Sequence, residues 1–255
     1  MVIAVPHMKT VAIIQARMGS SRLPGKVLRK LGDQTVLAHV IDRVRVAKRL
    51  DEIWVATTDA PDDIAIVDEC VRLGIPTYRG SESDVLDRYF KTAQAAGAEI
   101  VVRITSDCPM FDGRLLDDML AMFTEANQSG PAVDYLSNVL ERTYPRGLDA
   151  EVFTFECLAA AEREATLLHE REHVTPFIYQ HPERFRLRSY AGNVDRSGYR
   201  WTLDTPEDWQ LVEALYAALW RPDQVFLTED IVKLLKTRPE LNTINAHVEQ
   251  KKLSH

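Results

Sequence analysis

The sequence lacks the features that mark membrane and disulfide-rich secreted proteins. It has no apolar run as long as a membrane-spanning helix needs, so we expect no membrane partner. Its three cysteines are widely spaced and form no C-x-x-C pair, which predicts reduced thiols and a cytoplasmic location. Residues 1–7 are too short and too weakly charged for a signal peptide, and we expect an extension before a natural start at Met8.

The chain also lacks an excess of positive charge. It has 31 Lys and Arg residues against 38 Asp and Glu residues, a formal net charge of −7. A general nucleic-acid surface needs the opposite balance, so we expect no nucleic-acid partner. A polyanionic ligand would therefore need a local basic pocket.

Two common phosphate-binding motifs are absent as well. There is no G-x-G-x-x-G fingerprint of a dinucleotide-binding fold. The Walker A pattern fails because the gap from Gly19 to Gly25 is one residue too long, and because Val27 replaces the Ser or Thr that would hold Mg²⁺. In their place, a Gly- and Ser-rich loop over residues 16–26 follows the apolar run 11–14.

This loop has chemistry that suits a triphosphate. The apolar run predicts a strand buried on both faces of a parallel sheet, and ligands bind at the carboxyl ends of such strands. The small loop residues let backbone N–H groups approach phosphate oxygens, while Arg17, Arg22 and Lys26 supply positive charge. The turn Pro24-Gly25 is predicted to direct Lys26 back into the loop. The alternative is a solvated surface turn with incidental charges.

Alternating strands and helices in the first half predict an α/β fold with a parallel sheet and right-handed crossovers. The predicted strands there are 11–14, 53–57, 75–78 and 100–104, and the predicted helices are 36–44, 61–73, 83–96 and 114–126. After residue 131 the rhythm changes, and we expect a mixed continuation of the sheet. The later predicted strands are 133–138, 148–154, 185–190 and 199–203, with helices over 170–180, 206–219 and 228–236.

Two aspartates are predicted to lie at strand ends on the same edge of the sheet as the loop. Asp107 follows the strand 100–104, and Pro109 forces the chain to turn there. Asp204 follows the predicted strand 199–203, and it is left available because Thr205 can cap the next helix. Each could instead be a turn or helix-start residue. Two carboxylates beside a cationic loop are what Mg²⁺ needs to hold a triphosphate for transfer.

Five runs of the sequence resemble the cytidylyltransferases that activate acidic sugars such as 3-deoxy-manno-octulosonate and acylneuraminate. The resemblance is strongest to the branch typified by the spore-coat polysaccharide biosynthesis protein SpsF. The runs are QARMGSSRLPGK at 15–26, RGSESDVLDRY at 79–89, TSDCP at 105–109, YPRGLDAEV at 144–152 and WTLDTPED at 201–208.

The resemblance implies a nucleotide-diphospho-sugar transferase fold, a Rossmann-like three-layer sandwich with a mostly parallel mixed sheet. It implies a Mg²⁺-dependent enzyme that transfers CMP from CTP to an acceptor, a sugar acid, and releases pyrophosphate, in surface polysaccharide or glycoconjugate biosynthesis. It also implies a homodimer, with a single domain over residues 8–245. That domain divides into a nucleotide-binding half, 8–130, and an acceptor-binding and dimerisation half, 131–245.

The same resemblance assigns roles to individual residues. The catalytic residues are Arg17, Lys26, Asp107 and Asp204, of which the two aspartates hold Mg²⁺. The nucleotide-binding residues are Gln15, Ala16, Arg17, Gly19, Ser20, Arg22, Lys26, Arg79, Ser81, Asp84, Asp87 and Arg88. The acceptor-binding residues are Arg146, Asp149, Glu151 and His173.

Three alternatives from other classes remain open at this point. A nucleotide-sugar-dependent glycosyltransferase of related fold typically holds its metal with Asp-x-Asp, whereas this chain has Ser106-Asp107-Cys108. His169 and His173 match H-E-x-x-H, which is typical of zinc hydrolases. A nucleotide sensor without chemistry is the third, although the chain keeps both aspartates and all three loop cations.

Overall fold

The computed structural model describes residues 7–222 and 224–250. Except for His7, the expected extension before Met8 lies outside the described residues. The strands are β1 Thr10–Gln15, β2 Lys30–Leu31, β3 Gln34–Thr35, β4 Glu52–Thr58, β5 Thr77–Gly80, β6 Ile100–Thr105, β7 Tyr135–Ser137, β8 Glu151–Thr154 and β9 Leu187–Ser189. The α-helices are α1 Val36–Val44, α2 Ile64–Leu73, α3 Val85–Ala96, α4 Gly113–Ser129, α5 Phe155–Glu164, α6 Leu168–His173, α7 Pro176–Tyr179, α8 Pro206–Leu219 and α9 Thr228–Thr237. Short 3₁₀ turns cover Lys26–Leu28, Pro61–Asp63 and Pro239–Thr243.

Across the described ranges, seven strands form one mixed sheet in the order β5-β4-β1-β6-β8-β7-β9. The first four are mutually parallel, β6 and β7 each pair antiparallel with β8, and β9 is parallel to β7. β2 and β3 form a separate two-stranded hairpin. The predicted α/β class with a mostly parallel mixed sheet is confirmed.

Helices cover both faces of the sheet because the central strands are apolar on both sides. In β1, Val11 and Ile13 belong to a cluster that packs with helices α3, α5 and α7. Ala12 and Ile14 face the larger cluster formed with α1, α4, α8 and α9. This continuous burial is typical of a strand in a parallel sheet. No helix in the described part of the chain is long and apolar enough to cross a membrane.

Two predictions for the second half are wrong. The segment 199–203 is not a strand, since only Arg200 forms an isolated bridge, to Arg146. Its apolar residues resemble a strand, but their backbone N–H groups bond to loops: Trp201 donates to Arg146 and Leu203 donates to Asp107. The predicted helix 170–180 is divided into α6 and α7.

That break has a local cause. Val174 has a φ of +74°, and Thr175 N–H donates to the His173 carbonyl, which closes a γ-turn. Pro176 then begins α7, where its missing N–H costs nothing. Helix α5 was not predicted; it begins where the Thr154 side chain accepts a hydrogen bond from Cys157 N–H.

The carboxyl ends of β1 and β6 lie side by side and define the edge on which the functional residues gather. Gln15, the last residue of β1, is in register with Thr105, the last residue of β6. Glu151 begins β8 beside Arg103, so it lies toward the same edge. All three cysteines, Cys70, Cys108 and Cys157, are buried free thiols.

Candidate functional site

Residues 16–26, here called the cationic loop, connect the end of β1 to a 3₁₀ turn. The Met18 carbonyl accepts hydrogen bonds from Ser20 N–H at 2.9 Å and from Gly25 N–H at 3.1 Å, which closes the loop on itself. Gly25 has a φ of +65°, a left-handed conformation that glycine adopts without strain. Lys26 follows directly as the first residue of the turn. The predicted change of direction at Pro24-Gly25 is therefore present.

The Lys26 ammonium lies between the two predicted aspartates. Its Nζ is 2.9 Å from Asp107 Oδ2 and 3.1 Å from Asp204 Oδ1, and it donates to the Leu203 carbonyl at 2.5 Å. The side chain is only 11% exposed. A segment after β1, a segment after β6 and the approach to α8 thus meet at one cation, although their residues are far apart in the chain.

The charges in this cluster stabilise one another. Burial lowers the pKa of Lys26, but the carboxylates of Asp107 and Asp204 outweigh it, so the pKa lies above its ordinary value. Burial raises the pKa of Asp107, but Lys26 and a hydrogen bond from Thr105 outweigh it, so that pKa is lowered. The pairing therefore favours the charged forms of Lys26 and Asp107.

Asp204 is held from its other side by Arg200. Arg200 Nη2 lies 3.0 Å from Asp204 Oδ2 and 2.8 Å from the buried carboxylate of Asp208. Asp208 also accepts the backbone N–H groups of Asp204 and Thr205, and Thr205 caps α8. The start of α8 thereby fixes the position of Asp204. Arg200 could not be predicted from the sequence, because an Arg in an apolar segment has no characteristic spacing.

The remaining cations of the loop face solvent. Arg22 Nη2 lies 3.5 Å from Asp204 Oδ2, and Arg17 lies 3.9 Å from Glu82, with both side chains more than 40% exposed. Of the other predicted loop residues, Ala16 is buried and pairs its N–H with the Ala56 carbonyl, and Gly19 lies near Glu82. Ser20 Oγ accepts Leu23 N–H at 3.3 Å.

Gln15 contacts a buried polar network on the other face of the sheet. Its Oε1 accepts from Arg103 Nη2 at 3.1 Å, and Arg103 also pairs with Glu151. Arg103 was not among the predicted residues, since a charged residue inside an apolar strand has no sequence signature apart from being unexpected there.

The predicted nucleotide-binding residues at 79–88 make local contacts that shape their segment. Arg79 donates to the carbonyls of Thr58 and Ala60, both at 3.0 Å. Arg88 is buried and donates to the Ser81 carbonyl. The other three residues form caps and ion pairs: Ser81 Oγ accepts Asp84 N–H, Asp84 caps α3 and pairs with Arg171, and Asp87 pairs with Lys91.

The predicted acceptor-binding residues fall into two groups. Arg146 and Asp149 lie in the loop before β8, where Asp149 forms a two-pronged ion pair with Arg142 at 2.7 and 3.0 Å. Glu151 is buried. Its carboxylate accepts hydrogen bonds from Tyr135 OH and Thr175 Oγ1, each at 2.5 Å, and pairs with Arg103. His173 is the last residue of α6, beside the γ-turn, and is half-buried.

The donor set beside the loop fits a hard divalent cation. Asp107 and Asp204 offer only oxygen atoms, and Mg²⁺ is commonly bound by one or two carboxylates together with substrate phosphates. Within residues 7–222 and 224–250, no group of three His, Cys, Asp or Glu side chains could hold a metal ion. His169 and His173 belong to no such group, and Glu170 between them accepts hydrogen bonds from the N–H groups of Thr166 and Leu167, so the described residues offer the zinc-hydrolase alternative no metal site.

Known proteins are similar to this chain in both sequence and fold. The family model described as cytidylyltransferase matches residues 11–250. The spore coat polysaccharide biosynthesis protein SpsF of Bacillus subtilis is 36% identical over 239 residues, which cover 91% of this chain and 95% of SpsF. The structure of a cytidylyltransferase from Leptospira borgpetersenii matches with a TM-score of 0.86 at 32% identity, covering 98% of this chain and all of that chain. The structure of CMP:2-keto-3-deoxy-manno-octonic acid synthetase complexed with CTP matches with a TM-score of 0.61 at 21% identity, covering 82% and 99%, a likeness of fold alone.

Proposed function

The chain belongs to the cytidylyltransferase family, as its sequence predicted, and from this premise we propose that it transfers CMP from CTP to an acidic sugar acceptor. The observation that carries the proposal is the position of Lys26 between Asp107 and Asp204 at the end of the cationic loop. The cationic loop thereby supplies positive charge, and its last residue forms ion pairs with both carboxylates. The match of residues 11–250 to the cytidylyltransferase family model supports the choice of nucleotide.

In the proposed reaction, an acceptor hydroxyl oxygen attacks the α-phosphorus of CTP. The hydroxyl loses its proton, the bond from the α-phosphorus to the bridging oxygen breaks, and pyrophosphate leaves. Arg17, Arg22 and Lys26 would stabilise the charge that builds on the leaving group, since forked and point cations both suit phosphate oxygens. The segment 79–88 would contact the base and ribose.

Asp107 and Asp204 are the residues that would hold Mg²⁺. When bound there, the ion would neutralise phosphate charge and favour the ionised form of an attacking hydroxyl. The protein's own part is to keep both carboxylates oriented. Thr105 Oγ1 donates to Asp107 Oδ1 at 2.6 Å, and Arg200 holds Asp204 from the opposite side.

An acidic acceptor is supported by the surroundings of Arg146. Burial lowers its pKa, the like charges of Arg142 and Arg200 lower it further, and the carboxylate of Asp149 offsets them only in part. Among the described residues no carboxylate lies within ion-pair distance of its guanidinium. An acceptor carboxylate would relieve this repulsion, whereas a neutral sugar would not. We place the acceptor near Arg146, Asp149, Glu151 and His173, in the half 131–245, and the nucleotide in the half 8–130.

A cytoplasmic, homodimeric, Mg²⁺-dependent enzyme of surface polysaccharide or glycoconjugate biosynthesis completes the proposal. The buried free thiols suit a reducing compartment. Leu167 and Leu168 in the second half are 54% and 76% exposed and offer apolar surface for a second copy.

The test is product analysis with CTP, Mg²⁺ and a panel of acids that includes 3-deoxy-manno-octulosonate and N-acetylneuraminate. We expect one pyrophosphate for each CMP-linked product. Release of a nucleoside diphosphate from a nucleotide sugar would instead favour the glycosyltransferase alternative, which Ser106-Asp107-Cys108 argues against because it lacks an Asp-x-Asp pair.

A further inference from the structure

A buried carboxylate outside the site described above is attached to the cationic loop. Asp63 ends the 3₁₀ turn that follows β4, and it is 2% exposed. Its Oδ1 accepts Met18 N–H at 2.7 Å, and its Oδ2 accepts Thr58 Oγ1 at 2.5 Å and Thr58 N–H at 3.3 Å. One side chain therefore joins the end of β4 to a loop 45 residues earlier in the chain.

Asp63 does not do what an aspartate at a helix start usually does. It lies at the N-cap of α2 but makes no side-chain capping hydrogen bond to that helix. Across the ranges that the structure describes, it also has no ion-pair partner within 4 Å. A buried carboxylate is costly unless it is hydrogen-bonded, and here its hydrogen bonds go to Met18 and Thr58.

Met18 is the residue on which the loop closes. Its N–H goes to Asp63, while its carbonyl accepts both Ser20 N–H and Gly25 N–H. The second of these bonds fixes the turn from which Lys26 extends to Asp107 and Asp204. A chain of direct contacts thus connects Asp63 to the ammonium at the candidate site.

We propose that Asp63 is a positioning residue that holds the cationic loop in the form that binds a triphosphate. The proposal rests on the proposed function, in which this loop binds the phosphates of CTP. It predicts a selective defect: loss of Asp63 weakens binding of a triphosphate far more than binding of a monophosphate with the same base.

The test compares Asp63→Asn with Asp62→Asn, an exposed neighbour that serves as the matched control. The Asn side chain keeps the size of Asp but replaces one acceptor oxygen with a donor. Amide hydrogen exchange of the peptide over residues 17–25 reports the anchor without any ligand, and calorimetry with Mg²⁺ and either CTP or CMP reports binding. In Asp63→Asn we expect exchange and the Kd for CTP both to rise about ten-fold, with the Kd for CMP within about two-fold.

A second pair of variants keeps the test decisive if Asp63→Asn does not fold. Thr58→Val removes the hydroxyl that donates to Asp63, and Thr58→Ser keeps it. The proposal expects the selective defect in Thr58→Val and wild-type behaviour in Thr58→Ser.

Unchanged exchange in the loop, or equal losses for CTP and CMP, would overturn the positioning role. A wild-type protein that does not bind CTP would overturn the proposed function instead. In that case faster exchange in Asp63→Asn still supports the anchor, and unchanged exchange rejects it.

Discussion

Lys26 Nζ lies 2.9 Å from Asp107 Oδ2, in the space between Asp107 and Asp204. The ammonium therefore pairs with the same two carboxylates that would hold a divalent cation. Binding of that cation and of the triphosphate would require Lys26 to turn from the aspartates toward the phosphates.

Replacing Lys26 separates its pairing with the two aspartates, which competes with a bound cation, from its contact with the phosphates during turnover. Lys26→Met should raise nucleotide-free affinity for Mn²⁺ by roughly ten-fold, because a competing charge is removed, and should lower turnover by about 100-fold. Calorimetric Mn²⁺ titration and pyrophosphate release measure the two effects. Lys9→Met, at an exposed surface pair with Glu52, is the control. Weaker Mn²⁺ binding in Lys26→Met would contradict the competition.

Asp107 should matter through its charge and not its shape. Asp107→Asn keeps the side-chain size but removes the anionic oxygen that faces Lys26, and we expect pyrophosphate release to fall by at least about 100-fold. The Asp117→Asn variant, whose carboxylate caps the N–H groups of Lys48 and Arg49 on the surface, should keep its rate. Wild-type turnover in Asp107→Asn would refute the metal assignment.

The fully buried Asp208 should give stability a defined pH dependence. Burial raises its pKa, but its bonds to Arg200 and Asn245 outweigh it, so the folded pKa lies below the ordinary 3.8. The contribution of ionised Asp208 to the free energy of unfolding is therefore present above the ordinary pKa of 3.8, and it is lost as the pH falls through the folded pKa. At pH 7, Asp208→Asn should lower the free energy of unfolding by about 2–4 kcal/mol, since Arg200 loses a buried partner.

Urea unfolding at pH 7 and at pH 3.5 measures this difference. The gap between wild type and Asp208→Asn should narrow at the lower pH. A gap that stays constant, or grows, would show that the carboxylate charge is not the source of the stability.

Gly147 should be irreplaceable for a steric reason. Its φ is +100°, and a Cβ there would lie 2.6 Å from the Trp201 carbonyl carbon and 2.7 Å from Thr202 N, beside the segment that leads to Asp204. Gly147→Ala should cost more than about 2 kcal/mol of unfolding free energy and lower activity.

Two other glycines distinguish the cost of a positive φ from the cost of a steric clash with a Cβ atom. Gly74 has a φ of +67° with open space around it, so Gly74→Ala should cost only about 1 kcal/mol. Gly198 has neither constraint, and Gly198→Ala should stay within about 0.5 kcal/mol of wild type. A thermal unfolding series that ranks the three variants differently would contradict this account.

The features that could be predicted from the sequence are those set by residues close together in the chain. Helix α8 begins and ends as predicted because Thr205 and Pro206 are local start signals. The segment 199–203 was predicted wrongly because its partners, Arg146 and Asp107, are distant loops that no local pattern indicates. The loop cations and Asp107 could be singled out because ligand-binding residues follow strand ends. Asp204 was singled out on the predicted strand 199–203, which does not form, and it lies directly before α8 instead.

The residues that hold the site residues in place could not be predicted from local patterns. Asp63 looks like a helix-start residue, and Arg103 and Arg200 look misplaced in apolar segments, until their partners are known. Their roles come from long-range hydrogen bonds, which depend on the sheet order and not on spacing. The sequence therefore indicated the residues proposed to face the ligand, but not the residues that hold them in place.

The most direct test of the central claim is a thermal-shift measurement with each of the four nucleoside triphosphates and Mg²⁺. We predict that CTP stabilises the protein selectively, by about 2.7 kcal/mol at a hundred times its Kd. Asp107→Asn should abolish most of the shift. Equal stabilisation by all four nucleotides, or a larger effect of another triphosphate, would contradict the assignment of CTP as the substrate.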